Sequence, residues 1–311
     1  MRHTGKAWLL WLLLLPPLLT AAQKRDSSIF DLPIQIDEVI VTAARSGWDL
    51  EAFIRRVKTD TTFYEAFRAM RRTGYTAVND IRILDKKERT AASLYSRTRQ
   101  TYAAGCRSMQ VLEEKTTGNF YKRNGDYRYY TANLYAYLFF TRGKVCGDEG
   151  GTPAAGTAKA GRSQSKLEKS KAQLKQLIFS PGSKISGVPF MGDRASVFDP
   201  DVAEMYQFKL LAVMYEGEPC YLFRAVPKPG HEDDVVFKDL STWFRESDYS
   251  IMARDYTLSF RTLLYDFDVR MKVRLQPVNG RLLPMRITYD GNWHVMTQSR
   301  ERARFTAIFT Y

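Results

Sequence analysis

Asp266 and Asp268 are the residues best spaced for acid–base chemistry. Two apart on a strand, their carboxyls share one face about 7 Å apart, a separation that paired glycosidase carboxylates can have. Arg270, Lys272 and Arg274 continue the same face, so a ladder of cross-strand ion pairs is the ordinary expectation. His231-Glu-Asp-Asp234 could offer carboxylates to a hard cation, but it follows Pro227-Lys-Pro-Gly230 and reads as a solvated loop. The chain has three His. Beyond His3, His231 and His294 lie in different segments without helical ligand spacing, so a His-rich metal site is not expected. There is no G-x-S-x-G elbow, no Walker-type loop and no G-x-G-x-x-G. The expectation is a protein with no catalytic residues, no metal and no cofactor.

The stronger pattern is apolar. Leu263, Tyr265, Phe267, Val269, Met271, Val273 and Leu275 occupy consecutive odd positions, with Leu264, Asp266, Asp268, Arg270, Lys272 and Arg274 between them. Thirteen residues of period-2 alternation make a strand of about 43 Å, over twice the usual length. Leu283, Met285, Ile287 and Tyr289 alternate again after Asn279-Gly280, a strong hairpin signal. A face this long must be covered by a sheet, helices or a ligand. In a barrel or half-barrel it suits acyl chains, and a tight core fits it equally well. The candidate ligand-contacting residues are Trp243, Leu263, Tyr265, Phe267, Val269, Met271, Val273, Leu275, Met285 and Ile287.

The elements that position this face follow from periodicity. Asp37–Ala43 reads as an edge strand. Leu50, Phe53, Ile54 and Val57, then Phe63, Phe67 and Met70, recur at helical spacing and predict two short amphipathic helices stopped at Gly74. Strands are predicted over Tyr75–Leu84, Ala91–Tyr102 and Cys106–Leu112. Thr131–Thr141 predicts a buried helix capped by Thr131. Tyr206–Tyr215 and Pro219–Val226 form a hairpin around Glu216-Gly217. Asp290-Gly291 predicts one further turn, before Trp293–Tyr311 supplies a last strand pair or one long bent strand. Ser163–Phe179 reads as a basic amphipathic helix. Its Lys166, Lys169, Lys171 and Lys175 are candidate membrane contacts, against the alternative of a solvated surface helix. The short amphipathic helices and this basic helix are candidate lids.

Met1–Ala22 reads as a secretory signal peptide, with Arg2 and Lys6 before an apolar run and small residues at Thr20-Ala21-Ala22. The run is too short to span a bilayer. The expected organisation is therefore a signal peptide at 1–22 and an extended leader at 23–48. Helices plus the first strands follow at 49–146, then a low-complexity loop and basic helix at 147–185. A C-terminal meander at 186–311 completes the same sheet domain. The 311-residue chain holds 47 basic and 34 acidic residues. Cleavage would leave 45 against 34, a net +11, of which seven cations and one acid lie between Lys159 and Lys184. Export separates the chain from chromosomal DNA, so this charge points to an anionic membrane surface and away from nucleic acid. Cys106, Cys146 and Cys220 admit one disulfide in an oxidising compartment. Cys106–Cys146 is the candidate bridge, and Cys220 reads as a buried small hydrophobe.

A family resemblance joins these patterns. The hairpin Tyr206–Leu211 and Gly217-Glu-Pro-Cys-Tyr-Leu-Phe-Arg-Ala-Val-Pro-Lys228 is followed by Trp243-Phe-Arg-Glu-Ser-Asp-Tyr-Ser-Ile251. The long alternating strand and Leu283-Pro-Met-Arg-Ile-Thr-Tyr289 come next. This succession resembles the outer-membrane lipoprotein-sorting proteins, the LolA-like periplasmic carriers, over residues 206–311. The resemblance implies an α+β fold: a long, strongly curved antiparallel sheet, an unclosed half-barrel, with helices as lid or cover. It implies a non-enzymatic carrier for lipid or lipoprotein acyl chains, in the periplasm and in contact with the outer or inner membrane surface. No site residue is carried over from the family. The aromatic terminus Phe305-Thr-Ala-Ile-Phe309-Thr-Tyr311 supports a second expectation. It is similar to the last strand of outer-membrane β-barrels, so such a barrel, or an envelope scaffold without bound lipid, is the alternative.

Overall fold

The computed structural model describes residues 40–41, 50–147, 181–182, 194–262, 265–295 and 299–311. Strands β1 (Ile40–Val41), β2 (Tyr75–Leu84), β3 (Thr90–Ala103), β4 (Cys106–Thr117) and β5 (Lys144–Cys146) come from the first half of the chain. Strands β6 (Tyr206–Tyr215), β7 (Glu218–Pro227), β8 (Phe237–Arg245) and β9 (Ile251–Arg261) follow, then β10 (Tyr265–Val278), β11 (Arg281–Val295) and β12 (Glu301–Thr310). Helices α1 (Leu50–Thr59), α2 (Thr62–Met70), α3 (Tyr130–Phe139) and the single turn α4 (Pro200–Ala203) complete the described elements. All twelve strands form one antiparallel sheet in the order β1-β6-β7-β8-β9-β10-β11-β12-β2-β3-β4-β5. The sheet is curved but not closed, with β1 and β5 at its edges. The expected α+β half-barrel is the fold of this protein, and among the described residues no closed barrel forms.

Turn chemistry explains the regularity. Glu216-Gly217 and Asn279-Gly280 both adopt positive φ (50° and 82°; 49° and 76°), the two-residue geometry that matches strand twist. The β6–β7 hairpin matches its expected bounds to within a residue, and the β10–β11 hairpin turns where expected but has longer strands. Asp290-Gly291, by contrast, is not a turn, and β11 runs straight through it to Val295. A Cβ on Gly291 would stand 2.0 Å from the Tyr289 hydroxyl, so glycine here makes room for an aromatic ring that lies over the strand. Cys106 and Cys146 face each other across β4 and β5 and form the disulfide, while Cys220 is a free, buried thiol.

Register assigns every side chain to a face. Val273 pairs with Arg254 on one side and Ile287 on the other, and the row continues through Ala307, Asn79 and Ser96. This inner face carries the main core, and α1, α2 and α3 supply Phe53, Phe63, Phe67, Tyr135 and Phe139 to it. The outer row next to it reads Trp243, Ala253, Arg274, Arg286 and Ile308. Beyond that row the outer face is rich in ion pairs, among them Arg304–Asp290 and Arg82–Asp80. No described helix is long and apolar enough to cross a membrane.

Candidate functional site: the covered inner face of the sheet

Strand β10 builds the centre of the site. Val269, Met271, Val273 and Leu275 are all buried on the inner face, and Ile287 joins them from β11. Alternation alone produces this column, since the odd residues share one face and the even ones take the opposite face, where Arg274 is itself buried. Phe267, at the end of the column, is only half-buried and packs against the core edge. The Tyr256 hydroxyl donates to the Met271 sulfur at 3.0 Å, and Tyr289 stacks on Phe305 with centroids 4.8 Å apart.

Two members of the expected set lie elsewhere or are displaced. Trp243 faces the opposite side, packing with Tyr215, Leu222 and Ala253 in a separate outer cluster. It belongs to a strand buried on both faces, and register shifts between Phe237 and Asp239 and between Trp243 and Phe244 break its alternation. Met285 is the extra residue of a bulge opposite Arg274/Leu275; it is half-buried and stands outside the inner cluster. Tyr265 opens β10, but its side chain lies outside the described residues. Leu263 and the cationic set Lys166, Lys169, Lys171 and Lys175 also lie outside them, as do the signal peptide, the leader and the basic helix.

Two covers close the inner face, and they are built differently. Over β7–β11 lie α1 and α2. Phe53 meets Phe244 edge-on at 5.3 Å and stacks on Phe223 at 6.0 Å, and α2 crosses β11. Beneath α2 sits Arg254, buried, its Nε donating to Thr242 Oγ1 at 3.0 Å and its guanidinium 4.7 Å from the Phe63 ring. Burial pulls the Arg254 pKa down to about 10, a shift that the charge of Asp60 opposes. Sequence reasoning missed Arg254, although a lone Arg in the column Arg254, Tyr256, Leu258, Phe260 was a signal that could have found it.

Over β12, β2 and β3 lies α3, held by hydrogen bonds. The Tyr135 hydroxyl donates to Asn79 Oδ1 at 2.5 Å, and Asn79 Nδ2 donates to Ser96 Oγ at 3.2 Å. Both are buried. Burial holds the Tyr135 hydroxyl well above the usual tyrosine range. The expected Thr131 cap is replaced by a distant one. Glu301 at the start of β12 accepts from the Tyr130 and Thr131 amides at 2.9 and 2.7 Å, a carboxylate on orphan N–H groups at a helix N-terminus. Thr131 lies inside the helix, where its hydroxyl accepts from Trp293 Nε1 at 3.3 Å. Gln100 joins the two covers, with Nε2 donating to the Met70 and Thr73 carbonyls at 3.2 and 2.9 Å, just where α2 ends.

The candidate carboxylates do not assemble an acid–base pair. Asp266 is ion-paired with Arg300 at 2.7 Å. That hydrogen bond holds its carboxyl below the usual range, the direction opposite to a general acid's need. It lines a recess of about 360 Å³ with Asp268, Asn292 and Arg302, and with Phe260 and Phe267 at the half-buried end of the apolar column. His231 and Asp234 meet within an exposed turn at 3.1 Å. Among the described residues no three His, Cys, Asp or Glu side chains gather as a metal site.

No family model matches the chain, and no curated protein matches it. Among solved structures, the chain is similar to a domain described as outer membrane lipoprotein-sorting, from Vibrio parahaemolyticus. The two share 10% identity, with a TM-score of 0.25 and coverage of 82% of this chain and 92% of that chain. It is also similar to a DUF1329 family protein from Desulfovibrio piger, at 9% identity and a TM-score of 0.23, covering 81% and 92%. The first is of the class that residues 206–311 resemble. At these scores the likeness carries no argument, and the reading of the site rests on its own geometry.

Proposed function

We propose that this is an exported, non-enzymatic binding protein whose inner sheet face receives the acyl chains of lipids or lipoproteins in the cell envelope. One observation supports this reading: α1 and α2 meet the inner face largely through apolar contacts, Phe53 with Phe223 and Phe244 and α2 with β11, beside the apolar column of β10. An acyl chain replaces such contacts like for like, at about 0.8 kcal/mol per buried methylene. The tie from Gln100 to the end of α2 leaves residues 71–74 as the hinge about which the helix pair swings. Displacing α3 would instead strand buried polar groups, at about 1–3 kcal/mol each. The reading also takes Met1–Ala22 as a cleaved signal, which puts the mature chain in the periplasm.

Native purification followed by lipid mass spectrometry, with titration by a fluorescent fatty acid, tests this reading. Recovery of acyl lipid and saturable binding are expected, weakened by Phe267→Glu at the half-buried end of the column. No recovered lipid together with no saturable binding would overturn it.

A further inference from the structure

We infer that the turn between β4 and α3 is a docking surface for an anionic bilayer. Phe120 is buried and anchors this turn. Tyr121 and Tyr127 bridge across it with rings 5.3 Å apart, and Tyr129 lies against Phe120. At the tip, the Lys122 amide donates to the Asp126 carbonyl at 2.8 Å and the Gly125 amide to the Lys122 carbonyl at 3.0 Å. Gly125 closes the bend at φ 82°. Lys122 and Arg123 are therefore exposed cations on a rigid aromatic base. Arg128 is exposed beside them, and the Arg142 guanidinium lies 5.8 Å over the Tyr127 ring.

Two acids accompany these four cations. Glu114 accepts from the Tyr121 hydroxyl at 2.8 Å, and Asp126 accepts from Asn124. The surface is thus net positive and floored by half-buried tyrosines. Tyrosine places an apolar ring and a polar tip at the depth of lipid headgroups, and Lys and Arg lay their stems along apolar surface while their charges reach anions. An acidic protein would meet the same cations without needing the tyrosine floor. The turn stands at the half-buried end of the apolar column: Tyr130 packs on Trp293 at 4.8 Å, and Trp293 pairs with Phe267. This placement does not depend on what the inner face binds.

Co-sedimentation of the full chain with phosphatidylcholine vesicles, with and without phosphatidylglycerol, tests the inference. A cation near an anionic surface contributes about fivefold in partitioning. Lys122→Gln/Arg123→Gln is therefore expected to weaken binding to the anionic vesicles about 25-fold, with an unchanged melting curve. A solvent-sensitive fluorophore on Arg123→Cys is expected to shift to the blue with anionic vesicles only. Wild-type partitioning by the double variant, or no spectral shift at the labelled turn, overturns the inference. So does capture of the turn by an acidic protein in place of vesicles. Loss of fatty-acid binding with vesicle binding intact would instead count against the proposed function alone.

Discussion

Two helical covers lie on the same face of one sheet, and they are held in different ways. The α1–α2 pair meets β7–β11 through rings and aliphatic side chains, with a buried cation beneath Phe63. The α3 helix meets β12, β2 and β3 through buried side-chain hydrogen bonds and a carboxylate cap that reaches it from β12. Apolar contact is non-directional and exchangeable, whereas a buried polar network is specific and costly to break. On the proposed reading, α3 belongs to the fixed frame and α1–α2 is the part that yields.

The largest test of this contrast is Phe305→Ala, which removes the ring stacked between Tyr289 and the α3 aromatics. Denaturant unfolding is expected to show a loss of about 3–5 kcal/mol; a loss under about 1 kcal/mol would mean the α3 side is not a packed frame. Next comes a matched pair. Tyr135→Phe strands Asn79 Oδ1 and is expected to cost about 1–3 kcal/mol. Arg254→Met with Thr242→Val replaces both partners of the buried hydrogen bond by apolar side chains and is expected to change stability by less than about 1 kcal/mol. Equal losses from the two would erase the difference between the covers.

Smaller effects probe the surroundings. The carboxyl of Asp266 is held low by Arg300, so its contribution to stability is present above the unfolded value of about 3.9 and fades as pH falls through the lower folded value. Asp266→Asn should therefore lower stability at neutral pH by under about 1 kcal/mol and leave it nearly unchanged at the acid end, which flattens the acid limb of the stability curve. Burial pushes the Cys220 thiol up to about 11. At mildly alkaline pH the native protein should therefore resist a thiol reagent, then expose one thiol on unfolding and three after reduction as well; immediate native labelling would contradict the buried position.

Much of this frame was legible in the sequence, because period-2 alternation and Gly-containing turns act locally. Val269, Met271, Val273, Leu275 and Ile287 could be assigned to one face without a structure. The failures share a different origin. Trp243 and Met285 are displaced by bulges, which shift register by one residue and leave no mark in hydropathy. Gly291 looked like a turn because the ring that requires it belongs to its own strand neighbour, Tyr289. The cap of α3 comes from Glu301, some 170 residues beyond Thr131, and no local pattern encodes that distance. The α3 side of the inner face was unreadable for a related reason. Asn79, Ser96 and Gln100 are polar, and alternation alone reads polar positions as solvent-facing.

Amide hydrogen exchange with and without a saturating fatty acid tests the central claim most directly. The account expects faster exchange in α1–α2 than in α3 for the free protein, and a further change confined to residues 50–74 when the acyl chain enters. Uniform protection of both covers, unaltered by bound fatty acid, would contradict it.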